Sequence, residues 1–222
     1  VVESYKQLRT NIMFAMSVKD TTIVELSSSY PGEGKSITSA NVSIAMAQTG
    51  AKVLLIDCDL RKSVQHKIFK VKNKVGLSSV LGKMATYSEA VNRDVVKNLD
   101  LITSGPVPPN PSELLNNTSF DTLIRALRDI YDYVIIDTPP LGSVTDASIV
   151  AQKCDGAVLV VAADMVSYKF VQKSLEQLKL TQCKILGCVL NKVDLSGDSY
   201  YGKYYGKYYG KYYGNYGEGH EE

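Results

Sequence analysis

The 222-residue sequence is poor in histidine and cysteine, the side chains that most often build metal sites. Its two histidines, His66 and His220, are too few and too far apart in the sequence for a metal cluster. The four cysteines show neither a C-x-x-C pair nor the spacing of a zinc site, so we interpret them as reduced core residues, typical of the cytoplasm. They are Cys58, Cys154, Cys183 and Cys188.

The sequence also lacks a strong net charge and a long apolar run. Lys and Arg total 25 against 23 Asp and Glu, which gives no case for broad electrostatic capture of nucleic acid or of a membrane surface. We therefore expect no nucleic-acid partner. The longest apolar run, Ala157 to Ala163, is far shorter than the roughly 20 residues that span a bilayer, and no signal peptide opens the sequence. We expect this segment to be soluble, and an upstream membrane segment in a longer chain stays open.

The C-terminal region differs in composition from the rest. Residues 1–195 have the composition of one globular domain, whereas residues 196–222 repeat Tyr-Tyr-Gly-Lys three times. Glycine at every fourth position raises the entropy cost of ordering, and its small polar neighbours bury little apolar surface. We predict a disordered tail that carries nine of the fifteen tyrosines. They are Tyr200, Tyr201, Tyr204, Tyr205, Tyr208, Tyr209, Tyr212, Tyr213 and Tyr216.

Strand-like and helix-like segments alternate along the domain. Short apolar segments rich in Val and Ile predict buried parallel strands at residues 21–27, 52–58, 99–103, 132–137, 156–162 and 184–191. Helical stretches are predicted at residues 36–48, 118–130, 145–152 and 167–178, and a capping box at Thr86 and Glu89 predicts a shorter helix. This alternation predicts an α/β fold with a doubly wound, mostly parallel sheet.

Four prolines interrupt the segment from Gly105 to Ser112. Proline removes a backbone donor and fixes φ, so we expect neither helix nor strand here. The segment is instead predicted to be a shaped loop beside the functional site.

The segment from Ser29 to Ser36 reads Ser-Tyr-Pro-Gly-Glu-Gly-Lys-Ser, follows a predicted strand and opens a helix. In this context backbone N–H groups and the helix N-terminus cradle phosphates, although the phosphate-loop (Walker A) pattern has glycine where this chain has Ser29. We predict that Lys35 contacts the β- and γ-phosphates of a nucleotide and that the Ser36 hydroxyl binds Mg²⁺. The predicted nucleotide-binding residues are Gly32, Glu33, Gly34, Lys35, Ser36, Ile37 and Asn191.

Two predicted strands end in carboxylates, where an open α/β sheet presents side chains to its ligand. Asp137 fits the Walker B role beside Mg²⁺, and Asp59 is the second metal-side carboxylate. Asp57 is then free to accept a proton from a tyrosine hydroxyl, whose pKa of about 10 makes it a poor nucleophile at neutral pH. The predicted catalytic residues are Lys35, Asp57, Asp59 and Asp137, and the predicted metal ligands are Ser36, Asp59 and Asp137.

An amphipathic helix is predicted before the first strand. Apolar residues recur at helical spacing between residues 4 and 18. Glu3, Lys6 and Arg9 occur at every third residue, so they drift little around the helix and form one charged stripe on its surface.

These features together resemble the bacterial protein-tyrosine kinases that regulate capsular and exopolysaccharide synthesis. The resemblance runs over essentially the whole chain. In fold this family looks like the ParA and MinD group of P-loop ATPases, but Tyr30 stands where that group carries its signature lysine. The resemblance rests on the Glu3-x-x-Lys6-x-x-Arg9 segment, the Pro31 to Ser36 loop, Asp57-Cys-Asp59-Leu-Arg61, Gly105-Pro-Val-Pro-Pro-Asn-Pro, Asp137-Thr-Pro-Pro140 and the tyrosine cluster.

The resemblance implies phosphorylation of the tail tyrosines, with ATP and Mg²⁺, between neighbouring subunits of a homo-oligomer. The oligomer is a ring in which the charged stripe packs against the next subunit, so residues 1–18 act as an oligomerisation helix. The resemblance also implies a transmembrane activator, or polysaccharide co-polymerase, as a separate chain or an upstream fusion. Through it the cytoplasmic kinase is recruited to the inner face of the cell membrane. We further expect protein substrates and a cognate phosphotyrosine phosphatase.

Two residues depart from the family pattern. Ser63 stands where the family usually has proline after the paired-aspartate motif. Lys6 replaces an arginine of the oligomer-forming motif, which keeps the charge but loses the bidentate fork of a guanidinium.

Other functions remain open. A non-kinase ATPase switch of the ParA or MinD type would bind partners in its ATP state, but it has no use for clustered phenols. Asn191-Lys-Val-Asp194 matches the N-K-x-D pattern of GTPases, yet the strand ending at Asp137 lacks the D-x-x-G glycine, and Asn191 could contact adenine instead. Neither H-R-D nor D-F-G occurs, which excludes a eukaryotic-type kinase mechanism.

Overall fold

The computed structural model describes residues 2–16 and 21–194. The predicted tail at 196–222, with its nine tyrosines, lies outside the described residues. So do residues 17–20, which include the last two positions of the predicted leading helix.

A seven-stranded sheet forms the centre of the described domain, in the order β3-β4-β2-β5-β1-β6-β7. All neighbours are parallel except β3, which runs antiparallel to β4. The predicted α/β fold with a mostly parallel sheet is thereby confirmed. The strands are β1 Thr22–Ser28, β2 Val53–Asp57, β3 Val91–Val96, β4 Leu99–Ile102, β5 Tyr133–Asp137, β6 Gly156–Ala162 and β7 Lys184–Asn191.

Strand β3 was not predicted from the sequence. It carries Asn92, Arg93 and Asp94 in its middle, and it is half-buried or exposed along its length. An edge strand of this kind lacks the apolar run that marks a buried parallel strand.

Helices cover both faces of the sheet. The four helices predicted from periodicity are present, as α2, α7, α8 and α9. The predicted short helix is also confirmed, and Thr86 and Glu89 exchange the two hydrogen bonds of a capping box at its start. No helix in the described part of the chain has the length and apolar character needed to cross a bilayer. The helices are α1 Val2–Ala15, α2 Lys35–Ala47, α3 Gln65–Ile68, α4 Leu77–Leu81, α5 Tyr87–Ala90, α6 Pro111–Leu115, α7 Thr118–Arg128, α8 Asp146–Ala151 and α9 Tyr168–Leu180.

The expectation that the proline-containing segment excludes helix is wrong at its end. Helix α6 begins at Pro111 and includes Ser112. Proline is tolerated at the first helical position, because its missing N–H would have no partner within the helix and its fixed φ suits the first turn.

Alternate side chains of the central strands enter two separate cores. Leu54 and Ile56 of β2 pack with α7 on one face, whereas Leu55 packs with α2 on the other. Strand β1 lies in the middle of the sheet, and all seven of its residues are buried. The strand ends that carry polar side chains are therefore held by a well-packed frame.

The interpretation of the cysteines as core residues is wrong for Cys188, and Cys154 and Cys183 pack only at the margins of the cores. All four are free thiols, but only Cys58 is buried. Cys154 and Cys183 are half-buried, and Cys188 is exposed on β7. Strand β7 is an edge strand, which is why an apolar sequence there does not mean burial.

Candidate active site

The carboxyl ends of β1, β2 and β5 meet at one edge of the sheet, because the three are parallel neighbours. Asp57 and Asp137, the last residues of β2 and β5, are paired in register. The loop that follows β1 enters α2 at the same edge and delivers Lys35 and Ser36 as the first residues of that helix. The structure thus brings together the residues predicted from three separate motifs.

The phosphate loop depends on two glycines in the left-handed region. Gly32 has φ of 86° and Gly34 has φ of 94°. Gly34 is the N-cap of α2 and offers no side-chain acceptor, so the first N–H groups of the helix have no side-chain cap. A Cβ atom on Gly34 would lie 2.2 Å from Nδ2 of Asn191. This glycine-lined helix N-terminus suits an oxyanion such as a phosphate group.

Glu33, predicted to bind the nucleotide, turns its side chain into the protein and is fully buried. Its Oε2 accepts from the backbone N–H of Tyr30 over 2.7 Å, and its Oε1 accepts from the N–H of Ala162 over 3.1 Å. The carboxylate therefore fixes the loop to the end of β6. Only the backbone of Glu33 is left to contact a ligand.

Asn191 and Lys192 hold the loop from the end of β7. Nδ2 of Asn191 donates to the carbonyl of Glu33 over 2.9 Å, and Nζ of Lys192 donates to the carbonyl of Gly32 over 2.6 Å. The structure places the Asn191 amide against the loop backbone, which is a different contact from the predicted one with a base.

The ammonium group of Lys35 lies among three oxygen acceptors. Its Nζ is 3.1 Å from Oγ of Ser36, 3.2 Å from Oδ2 of Asp59 and 3.4 Å from Oδ1 of Asp137. Burial alone would lower the pKa of Lys35, but the carboxylates of Asp137, Asp59 and Asp57 outweigh it, and the pKa is raised. Lys35 is therefore held in its charged form.

This donor set fits Mg²⁺. A hydroxyl and two carboxylates already surround a cation, and Mg²⁺ prefers hard oxygen ligands from one or two carboxylates together with substrate phosphates. Within residues 2–16 and 21–194, no group of three or more His, Cys, Asp or Glu side chains forms a metal cage. The residues suit an ion that arrives with a nucleotide better than one held by protein alone.

Asp57 is engaged by the loop that follows it. Its Oδ1 accepts from the N–H of Asp59 over 3.1 Å, and its Oδ2 accepts from the N–H groups of Val64 and Gln65 over 3.1 and 3.0 Å. Burial, with the nearby charge of Asp137, raises the pKa of Asp57 to about 7. Asp57 thus shapes the loop carrying Asp59 and is also an unusually basic carboxylate.

Gln65 is a site residue that the sequence analysis missed. It is fully buried, and its Nε2 donates to the carbonyl of Ser36 over 3.0 Å and to Oδ2 of Asp137 over 2.8 Å. No sequence signal marks it, because a lone glutamine after a polar loop has no pattern of its own.

A second missed group joins one loop to the first turns of two helices at the rim of the site. Arg61 donates from Nε and Nη2 to the two oxygens of buried Asp146, over 2.9 and 3.2 Å. Ser112 donates to the same carboxylate over 2.6 Å. These contacts hold the segment from Gly105 to Ser112 beside the loop that carries Asp59. In the sequence, Asp146 looks like an ordinary first-turn residue of α8.

The last of the predicted nucleotide-binding residues, Ile37, lies at the surface of the same edge, as does Tyr30. Ile37 is exposed on the first turn of α2. Tyr30, which stands in place of a signature lysine, is half-exposed and packs edge-on against Phe170 at 6.2 Å between ring centroids. It supplies no positive charge to the loop.

The three charged residues of α1 do not share one environment. Nζ of Lys6 lies 3.1 Å from Oε2 of Glu3, in an exposed ion pair. Arg9 turns toward α2, where its Nη1 donates to the carbonyl of Ala45 over 3.2 Å. Its Nε is buried and has no hydrogen-bond partner in the described part of the chain. A cleft of about 150 Å³ lies between parts of α1 and α2, and Lys6 is among its lining residues.

Comparisons with known proteins agree with this geometry. A family model described as an AAA domain matches residues 21–187. The chain is 45% identical over 200 residues to tyrosine-protein kinase YwqD of Bacillus subtilis (strain 168). The alignment covers 90% of this chain and 84% of YwqD.

Two solved structures share the fold. The kinase domain of Escherichia coli tyrosine kinase ETK superposes with a TM-score of 0.85 and 35% identity, covering 90% of this chain and 78% of that one. The septum site-determining protein MinD of Pyrococcus horikoshii OT3, complexed with Mg-ADP, gives a TM-score of 0.68 and 26% identity, with coverages of 81% and 72%. Both the TM-score and the sequence identity are therefore higher for the kinase domain than for MinD, as the sequence motifs led us to expect.

Proposed function

The chain belongs to the bacterial tyrosine-protein kinases, which share the P-loop AAA domain, and we propose that it transfers the γ-phosphoryl group of ATP to its own C-terminal tyrosines. The observation that carries the proposal is that side-chain oxygens of Ser36, Asp59 and Asp137 all lie within 3.4 Å of Nζ of Lys35, at the edge of the sheet. In this proposal residues 1–195 are the kinase domain and residues 196–222 carry the acceptors.

The loop residues bind and orient the triphosphate. Backbone N–H groups at Gly32 to Ser36 surround the phosphates, and Lys35 moves from the carboxylates to the β- and γ-phosphate oxygens. Ser36, Asp59 and Asp137 would hold Mg²⁺, directly or through water, and the bound ion would neutralise charge on the phosphate oxygens.

The acceptor chemistry needs a site for one proton. The tyrosine oxygen forms a bond to the γ-phosphorus, the bond to the β–γ bridging oxygen breaks, and ADP carries away that electron pair. The phenolic proton goes to a carboxylate, for which we propose Asp57, because burial makes it more basic than an ordinary aspartate.

The path of the chain supports the tail as acceptor. Lys192 donates to the carbonyl of Gly32 over 2.6 Å, so the chain leaves its last strand beside the phosphate loop. The tyrosine cluster begins at Tyr200, and eight extended residues span up to roughly 27 Å. The acceptors therefore start within reach of an active site, in the same subunit or in a neighbour.

We propose that transfer occurs between subunits of a homo-oligomer, a ring in which Glu3, Lys6 and Arg9 contact the next subunit. In this arrangement each tail lies near the neighbouring active site. Several phosphates, each adding about −1.5 to −2 charges, would make the tails repel one another and dissociate the ring. Light scattering tests this: dephosphorylated wild type should exceed the monomer mass, whereas Glu3→Ala with Arg9→Ala should be monomeric. The thermal midpoint of the double variant must also be measured, because Arg9 contacts the carbonyl of Ala45.

The same resemblance motivates partners outside the chain. We propose a transmembrane activator that recruits the kinase to the inner membrane face, a phosphotyrosine phosphatase, further protein substrates and a role in capsular or exopolysaccharide synthesis and export. Addition of the activator's cytoplasmic segment should raise the rate of autophosphorylation. An unchanged rate would remove the activator from this proposal.

Intact-mass measurement after incubation with Mg·ATP tests the proposed activity. Wild type should gain several phosphoryl increments, and Lys35→Met should gain none, because the loop then lacks its phosphate-binding charge. A wild-type chain that hydrolyses ATP without gaining mass would instead favour the partner-binding ATPase switch. Equal use of GTP and ATP would favour a function outside the ATP-specific kinases.

A further inference from the structure

Gln65 connects two parts of the active site that lie on different elements. It is the first residue of α3, after the loop that carries Asp59. Its Nε2 donates one hydrogen to the carbonyl of Ser36 and the other to Oδ2 of Asp137. The amide thereby joins the first turn of α2 to the end of β5.

The orientation of this amide follows from its neighbours. A carbonyl oxygen and a carboxylate oxygen are both acceptors, so only the NH₂ end of Gln65 can face Ser36 and Asp137. The reversed orientation would place three oxygen acceptors together without a hydrogen between them. The carbonyl Oε1 therefore points away from these two contacts.

Oε1 of Gln65 is buried and has no hydrogen-bond partner among residues 2–16 and 21–194. Buried polar side-chain atoms in proteins are nearly always paired with protein or with ordered water, so this oxygen needs a donor. The two polar atoms of an amide are about 2.3 Å apart, which keeps Oε1 within about 5 Å of Oδ2 of Asp137. The missing donor therefore lies close to the proposed metal ligands.

The backbone of Gln65 is fixed as firmly as its side chain. Its N–H donates to Oδ2 of Asp57 over 3.0 Å, and Asp57 is paired in register with Asp137. One residue thus contacts the carboxylates at the ends of both β2 and β5. Movement of the loop after β2 would be transmitted through Gln65 to Asp137.

We propose that Gln65 is a positioning residue for the Mg·nucleotide complex. Its NH₂ group holds Oδ2 of Asp137, so that Oδ1 stays directed toward Nζ of Lys35 and the oxygens that would hold the metal. Its Oε1 would accept from a water molecule bound to Mg²⁺. The proposal rests on the proposed function, because it assigns Asp137 to the metal. A neutral amide suits this role, since it orients a carboxylate without cancelling the charge that attracts the ion.

The test replaces Gln65 with methionine, which has a similar length and shape but no hydrogen-bonding group. Binding of a fluorescent ATP analogue is titrated with Mg²⁺ in wild type and in Gln65→Met. The half-saturating Mg²⁺ concentration should rise by about 10-fold in the variant, as for other groups that orient metal ligands. Binding of the same analogue in EDTA should not change, because the phosphate loop is intact.

Lys67→Met is the matched control. Lys67 lies two residues further along α3 and is exposed, so the same substitution there removes no contact within the site. It should leave the Mg²⁺ titration unchanged. Thermal unfolding of each variant reports whether it is folded, and Gln65→Asn, whose shorter amide cannot span both partners, replaces Gln65→Met if that variant does not fold.

Coupling to Asp137 separates positioning from a general loss of stability. In an Asp137→Asn background, Gln65→Met should change the Mg²⁺ midpoint far less than in wild type, because the carboxylate that it orients is gone. A Gln65→Met midpoint equal to that of wild type, or an equal shift in both backgrounds, would overturn the inference. If wild type itself shows no Mg²⁺-dependent nucleotide binding, the proposed function fails instead.

Discussion

Nδ2 of Asn191 donates to the backbone carbonyl of Glu33 over 2.9 Å and so connects the last strand of the sheet to the phosphate loop. The two residues are 158 positions apart in the sequence. This structural contact is not the one that the N-K-x-D pattern predicts, because the asparagine of that pattern contacts the nucleotide base. Here the amide supports the peptide between Glu33 and Gly34.

Asn191→Ala should weaken nucleotide binding without changing base preference. Loss of one hydrogen bond to the loop is expected to reduce affinity about 2- to 10-fold. Titration with ATP and with GTP distinguishes support of the loop from contact with the base. A loss for one nucleotide only would show that Asn191 contacts the base.

Gly34→Ala should weaken nucleotide binding more than Asn191→Ala does. The added Cβ would lie 2.2 Å from Nδ2 of Asn191, and the backbone has φ of 94°. Both effects displace the loop that faces the phosphates. Calorimetry with ATP checks the result.

Gly50→Ala is the matched control for Gly34→Ala. Gly50 also has a positive φ, 93°, but no atom of the described residues lies within 4 Å of a Cβ there. This variant should lose only roughly 1–2 kcal/mol of folding stability, the cost of a left-handed backbone with a Cβ, and should keep its affinity for ATP. If the two variants lost ATP affinity equally, the close contact with Asn191 could not be the cause of the loss in Gly34→Ala.

Glu25 is a buried acid that the proposed mechanism does not use. It is fully buried in β1, its Oε1 accepts from the hydroxyl of Thr138 over 2.6 Å, and its Oε2 has no hydrogen-bond partner in the described protein. Burial raises the pKa of Glu25 to about 8. Burial, with a smaller contribution from the charge of Glu25, raises the pKa of three nearby thiols, so they stay neutral near pH 7. They are Cys58, Cys154 and Cys183.

Glu25→Gln should flatten the dependence of stability on pH. The raised pKa means that the folded protein keeps a proton that the unfolded chain releases near pH 4.5, so wild type loses stability as pH rises from there to about 8. The slope is roughly 1.4 kcal/mol per pH unit. Glutamine stays neutral and can still accept from Thr138. The variant should match wild type near pH 4.5 and exceed it at pH 8 in denaturant melts, and parallel curves would contradict the buried-acid account.

Asp57→Asn should reduce phosphoryl transfer far more than nucleotide binding. Loss of a proton acceptor typically lowers the rate by about 10²- to 10⁴-fold. The substitution also places an NH₂ group among the three backbone N–H donors that contact Asp57, so a lower melting temperature is expected. Single-turnover rates, measured with saturating Mg·ATP below that temperature, check the prediction. Full autophosphorylation would remove Asp57 from the role of base.

Much of the fold could be predicted because local sequence and tertiary structure agree. Five of the six predicted strands, all but the edge strand β7, are apolar segments that are buried almost throughout. The Gly32 to Ser36 loop has a spacing that few other structures require. Strand β3 and the short helices α3, α4 and α6 were missed, because they depend on neighbouring elements more than on their own periodicity.

The parts of the site that could not be predicted depend on contacts between distant segments. Gln65 is important only because Ser36 and Asp137 face it, and Asp146 only because Arg61 reaches it. Glu25 appeared in a strand that was correctly predicted, yet nothing local shows that a charged residue there is fully buried.

Phosphorylation in trans tests the central claim most directly. A chain ending at Gly197, which lacks the tyrosine cluster but keeps Lys35 and the carboxylates, is incubated with Mg·ATP and full-length Lys35→Met protein. Peptide mapping then locates phosphate on each chain. We expect phosphotyrosine between Tyr200 and Tyr216 of the Lys35→Met chain and almost none on the truncated one. Absence of phosphate, or phosphate mainly on Tyr5, Tyr87 or Tyr168, would contradict the account.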